Sequence, residues 1–203
     1  MTQKTLDVSA LPPFSISTDA PLWWGQFWMG IIECTLFAMM LGMYFYLRLS
    51  VDMWPLPGDQ IPHTLLPTLA LIPLALSMVA SWWASEGAKK NQRGVMIAGL
   101  VANLLLAGVF LAMRIIEWDT FNFEWKSDNF GSIVWTILGL HTADIIGDMG
   151  FTLVLIVLLV IGRYAEMQRL GVHVDSIVWY LLAGAWFPMY AVLYWGPAMV
   201  GGT

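Results

Sequence analysis

Glu33 stands deep inside a long apolar run, between Ile31, Ile32, Cys34 and Leu36, with no basic residue near it in sequence. A carboxyl group surrounded by hydrocarbon side chains is costly, so it is either functional or answered by a partner. Two chemistries fit it: a proton-exchanging or lipid-regulated group, or a protonated carboxylic acid that donates one hydrogen bond to another helix. A second constellation is His141, Asp144 and Asp148, spaced i, i+3 and i+7. At roughly 100° per residue these three share one stripe of a helix. Such a stripe lines a proton path, ligates a divalent ion together with Glu33, or pairs with residues of another helix or subunit. One helix offers too few ligands for a metal site, which favours a buried structural or interfacial network. Arg114 and Glu117 form an i, i+3 pair that either neutralises itself or leaves the arginine to hold a lipid phosphate. His173 and Asp175 fall in a segment read as a solvated inner loop, and no role is assigned to them.

The elements that must position these groups follow from composition. The chain has 203 residues, of which 59% are hydrophobic and only 11% charged, with a mean hydropathy of +0.70. Soluble chains carry roughly 25% charged residues, so this one lacks the polar surface to clothe itself in water. A membrane span needs roughly 20 apolar residues, and the apolar windows number five: about 22–49, 64–86, 95–118, 130–162 and 176–200. The expectation is an all-α polytopic membrane protein with one domain over 1–203 and five transmembrane helices. Residues 1–20 carry Lys4, Asp7 and Asp19 ahead of the first apolar run, the wrong order for a cleavable signal peptide, and read as a cytoplasmic amino-terminal extension. Lys89, Lys90 and Arg93, with Arg163 and Arg169, mark two connections on the cytoplasmic side. An odd number of spans then puts the amino terminus inside and the carboxyl terminus outside. The acidic stretch Glu117, Asp119, Glu124 and Asp128 faces outward, and many of the 12 tryptophans sit near span ends, where an indole suits the headgroup layer.

Several function classes drop out. A net charge of −5 with no basic run makes nucleic acid an unsuitable partner. The single cysteine, Cys34, allows neither an internal disulfide nor a thiolate-bridged dinuclear copper site. His63, His141 and His173 fall at three different depths, so no two suit bis-histidine haem ligation. No phosphate-binding glycine loop, nucleophile elbow or HExxH helix is present. What is left is a supporting subunit of a membrane complex, or an ion-coupled transporter in which Glu33, His141, Asp144 and Asp148 form a relay. The lack of internal repeats and of discontinuous helices counts against the transporter.

Six segments in order resemble subunit III of the haem-copper oxidases, the cytochrome c oxidase subunit III family, in its five-helix bacterial form. They are the Trp- and Gly-containing opening followed by IIECTLFAMMLGMYFYL at 31–47, with its membrane carboxylate; WPLPG at 54–58; and Leu76-Ser77 followed by Trp82-Trp83-Ala84 and the basic turn to Arg93. The others are RIIEW at 114–118; FGSIVWTILGLHTADIIG at 130–147; and DSIVWYLL at 175–182 followed by MYAVLYWG at 189–196. Asp144 stands where the family often has a second histidine, and Arg114 replaces a usual glutamine. Pro67 occupies the region of an Asn-Thr, and Asp175 lies one residue further than usual from Trp179. The resemblance implies a non-redox accessory subunit of a respiratory terminal oxidase, with haem and copper in partner subunits and no metal or catalytic centre of its own. It implies a two-plus-three, V-shaped arrangement with a cleft that binds phospholipid, seated against catalytic subunit I and with subunit II and further respiratory subunits nearby in a bacterial inner membrane. Such a subunit sustains proton uptake, protects the catalytic subunit and offers O₂ a lipid-filled route, with Glu33, His141, Asp144 and Asp148 as proton-sensitive groups and Arg114 and Glu117 as a lipid contact or ion pair. The subunit III-like protein of nitric oxide reductases shares this pattern.

Overall fold

In the computed structural model, residues 21–55, 63–162 and 166–197 are described. The extension 1–20, the latter part of the WPLPG run, Arg163 and the carboxyl-terminal residues lie outside them. Five long helices follow one another: α1 (Pro21–Leu49), α2 (Leu65–Lys89), α3 (Arg93–Trp118), α4 (Asn129–Ile161) and α5 (Glu166–Tyr190). A single π-helical turn, Ala191–Trp195, continues α5. Each span is long and apolar enough to cross a bilayer. The chain is therefore an all-α, multi-pass membrane protein.

The first four helices run close to their apolar windows, but the fifth starts far earlier than 176. Residues 166–175, expected as part of a connection, form the first turns of α5. The reason lies in the patterning of the segment, which puts Leu170, Val172, Val174 and Asp175 inside while Met167 stays exposed. A polar stretch at a span end continues the helix whenever one of its faces has a partner to bury against.

Packing is tightest between α2 and α3. The buried face of α2 is built from Ser77, Ala80, Ser81, Ala84, Ser85, Gly87 and Ala88, small residues that let a neighbouring backbone come close. Gly99 of α3 meets that face: a Cβ there would lie 2.6 Å from the Ala84 backbone nitrogen. The hairpin between the two helices turns at Asn91, whose φ is 57°, in the left-handed region that asparagine tolerates. At the same end, Arg169 of α5 donates through Nε to Ala88 O at 2.9 Å and through Nη2 to Lys89 O at 3.3 Å. Arg93 donates to Val160 O at 3.1 Å. Cations thus cover the exposed carbonyls where α2 and α4 end, which is also where the helix dipoles are negative.

The opposite end is closed by aromatic rings. Trp54 Nε1 donates to Tyr44 Oη at 3.0 Å, and Trp54 packs edge-on against Phe130. Trp135 Nε1 reaches Phe123 O at 3.2 Å, while the Asp128 carboxylate caps α4 by accepting from Gly131 N at 2.7 Å. The α4 terminus near the basic end is Gly162, with φ 80°. α5 lies at the centre, in contact with α1, α2 and α4, and buries Trp179 and Trp186 completely. α1 is the outlier. It rests mainly on α4 and α5 and buries just Gly30, Phe37 and Tyr44 among its 29 residues.

The α2–α3 contact gives a clear test. Gly99→Val should lower the thermal midpoint in mild detergent strongly, by the several kcal/mol of an overpacked core, because the clash is with backbone. Gly108→Ala, with open space around its Cβ, should leave it unchanged or slightly raised. Equal midpoints for the two variants would disprove the close approach.

Candidate functional sites in the bundle

The sequence-derived candidates separate into two groups that share α4. The first is a polar knot where α3, α4 and α5 converge. Arg114 is 2% exposed, and its Nε lies 3.3 Å from Glu117 Oε2, with both side chains buried. The guanidinium sits 3.8 Å from the centroid of Trp186 and 5.1 Å from that of Phe110. The hydroxyl of Tyr194 donates to Glu117 Oε1. A planar cation over an indole face, with an ion pair on its edge, is the arrangement in which burial of arginine is tolerable. The geometry makes this an ion pair enclosed by aromatic rings, with no lipid-facing approach to the guanidinium.

His141 joins this knot from α4. Its ring stacks on Trp186 at 4.8 Å, with Phe37 and Phe110 edge-on. His141 Nε2 donates to Leu182 O at 3.2 Å, and the residue is fully buried. An imidazole held by a carbonyl and walled by rings is a donor that ties α4 to α5.

The second group lies towards the basic end. Glu33 of α1 and Asp144 and Asp148 of α4 border one groove of about 400 Å³, which Val178 and Leu182 of α5 close from behind. Behind Asp148, Asp175 of α5 is completely buried and accepts from Thr152 Oγ1 at 3.0 and 3.2 Å. Four carboxyl groups therefore gather where α1, α4 and α5 meet. The stripe of His141, Asp144 and Asp148 is divided by the packing: the histidine points into the aromatic knot and the two aspartates border the groove.

Asp175 overturns its reading as a solvated loop residue. It is a buried helical residue, because the start of α5 turns it towards Thr152 rather than towards water. His173 is also helical, half-buried and hydrogen-bonded to Ser85 Oγ through Nδ1 at 2.8 Å. Thr152 was legible, since it continues the same stripe one turn beyond Asp148. Trp186 and Tyr194 left no polar signal, because an aromatic residue in an apolar run names no partner. Among the described residues, no group of three or more His, Cys, Asp or Glu is placed to hold a metal ion.

A second groove, about 480 Å³, runs between α1 and α5. Trp23, Phe27, Ile31, Ala38, Ile177 and Leu181 make its walls almost wholly apolar.

Comparison with known proteins decides the family. The family model "Cytochrome c oxidase subunit III" matches residues 16–197. The chain belongs to the cytochrome c oxidase subunit III family. Among relatives, cytochrome c oxidase subunit 3 of Prototheca wickerhamii is 26% identical over 71% of this chain and 56% of its own. That of Cyanidium caldarium is 26% identical over 70% of this chain and 53% of its own. The bacterial one, from Alkalihalophilus pseudofirmus, is 23% identical over 80% of both. The chain thus spans about half the length of the first two relatives. All six segments that carried the resemblance fall within the matched residues.

The ion pair is open to a mutational cycle. Arg114→Met leaves Glu117 buried and unpaired, which should cost about 3–5 kcal/mol of stability. Adding Glu117→Gln, which keeps an acceptor for Tyr194, should restore part of that loss. Additive losses in the double variant, read from thermal midpoints in detergent, would show that the two groups are not coupled.

Proposed function

We propose that this chain is the non-redox subunit III of a respiratory haem-copper terminal oxidase, seated against the catalytic subunit in a bacterial inner membrane. The observation that carries the reading is the family match over 16–197 on a chain whose five spans account for most of its length. In this reading haem and copper belong to partner subunits, this chain contributes no catalytic centre to the oxidoreductase, and subunit II and further respiratory subunits complete the assembly. The amino terminus is cytoplasmic and the carboxyl terminus lies outside, with Lys89, Lys90, Arg93 and Arg169 at the inner face.

The proposed contribution is mechanical and dielectric. α1 stands partly off the other four helices, and the apolar groove it forms with α5 takes the place of the lipid cleft in a two-plus-three, V-shaped arrangement. Phospholipid chains fill that groove. O₂ is apolar and partitions into hydrocarbon, so such a cleft conducts it without a ligating residue. The carboxyl groups around Glu33 provide proton-sensitive groups close to the catalytic subunit and sustain its proton uptake. The buried Arg114–Glu117 pair supports this work by holding α3 and α5 in register.

The test is purification of the tagged chain from its native membrane in mild detergent, with a reduced-minus-oxidised spectrum and a haem count before and after dissociation. Haem in the complex and none on the separated chain is the expected result, with O₂ rather than nitric oxide turned over. A complex that reduces nitric oxide instead would move the protein to the nitric oxide reductase branch. A partnerless, haem-free chain that carries ion flux in liposomes would replace the reading with a transporter. Within the complex, Glu33→Gln should preserve assembly and shorten the period of turnover before inactivation. Inactivation at the wild-type rate would remove Glu33 from this role.

A further inference from the structure

Two kinds of glycine stand out among the described residues. Gly87, Gly99 and Gly131 are filled from within, since a Cβ at each would strike a neighbouring element. Gly139, Gly147 and Gly150 of α4 have nothing within 4 Å of a Cβ. Gly139, Ala143 and Gly147 stand four residues apart, so they form one row along the helix. Ala143 and Gly147 are exposed. A row of small residues in a membrane helix lets a second helix approach closely, yet no helix of this chain covers this one.

The groove that Ala143 and Gly147 border also carries an unanswered polar demand. Asp148 is 8% exposed, borders the groove between α1 and α4, and its Oδ2 has no hydrogen-bond partner. Glu33 Oε2 and Asp144 Oδ2, on the same groove, are also without one. Thr152 cannot serve Asp148, because its hydroxyl is spent on Asp175. No Lys, Arg or His lines the groove, and the side-chain amide that does, Gln26, lies at its α1 wall. Asp148 lies roughly 28 Å along a helix roughly 50 Å long, at 1.5 Å per residue, so lipid at that level presents only acyl chains. Hydrocarbon supplies no donor to a carboxyl oxygen.

We propose that the groove between α1 and α4 seats a transmembrane helix of a partner polypeptide, packed on Ala143 and Gly147 within the groove and on Gly139 one turn beyond it, and bearing a basic or hydrogen-bond-donating side chain level with Asp148. The small residues give that helix close approach, the carboxyl oxygens give it a polar partner, and exposed Ile146 and Phe151 give it apolar flanks. The groove between α1 and α5 lacks this polar demand and suits acyl chains instead. The inference rests on the reading of the chain as a subunit of a membrane complex, and it names the surface and the chemistry of the contact.

The test uses the full chain in its native membrane, with a photoreactive phenylalanine analogue introduced at position 146 or 151, and at the exposed position 105 on α3 as a control away from the groove. Cross-linked peptides are sequenced. The expected product from 146 and 151, and not from 105, is one transmembrane helix with Lys, Arg, His, Asn, Gln or a hydroxyl residue within a turn of the link. Gly147→Leu and Gly139→Leu should each cut that product at least tenfold while leaving the thermal midpoint of the isolated chain unchanged. Links to phospholipid alone, to a helix without a donor, or at undiminished yield in both leucine variants would overturn the proposal. Loss of the isolated chain's own fold in both variants would overturn it too, because the row would then be filled from within. A haem count on the same sample separates this inference from the oxidase reading. Haem with no link at 146 or 151 sinks only the docking site, and a donor-bearing link to a haem-free partner sinks only the oxidase assignment.

Discussion

A guanidinium buried among membrane helices must be answered by charge and by aromatic faces, and much of the packing of this protein follows from how Arg114 is answered. Its charge is met by Glu117, its face by Trp186 and its flank by Phe110. Glu117 in turn takes the Tyr194 hydroxyl, and Trp186 carries His141. Two of these residues are on α3 beside Arg114 itself, two are on or just beyond α5, and one is on α4. Helices that contribute to the same charge cannot slide independently. Between apolar helices in lipid, where association gains little from the hydrophobic effect, such a knot supplies the register that greasy contacts leave loose.

The remaining helices are placed by a different device. α2 reaches α3 through small residues and Gly99, and α5 reaches α2 by Arg169 on its terminal carbonyls and by Trp179 Nε1 donating to Ser77 Oγ at 2.9 Å. α1 has neither device. It touches the rest at Gly30, Phe37 and Tyr44, which is why both described grooves border it and why Glu33 reaches the carboxyl cluster from a helix that is otherwise exposed.

Much of this was legible in the chain. The five spans follow from apolar length, and the family from six ordered segments, because both are properties of sequence order. The stripe of Asp144 and Asp148 and the Arg114–Glu117 pair were also visible, since helical spacing fixes which side chains are neighbours on one helix. What spacing on one helix leaves open is which helix stands opposite. Asp175 was assigned to water because hydropathy falls before residue 176, although a polar residue can continue a helix when a facing Thr152 receives it. Trp186 and Tyr194 were invisible for the converse reason: an indole or a phenol in an apolar run names no partner until a buried cation is found beside it.

The thin attachment of α1 also bears on biogenesis. Its partners α4 and α5 are the last two helices of the chain, whereas α2 and α3 are adjacent in sequence and can pair as soon as both are in the bilayer. During synthesis α1 must therefore wait apart from its packing partners until the rest of the chain has been inserted. The longest-range contacts close last, so the carboxyl cluster is completed only when the whole polypeptide is in place, and a chain interrupted before α5 never assembles it.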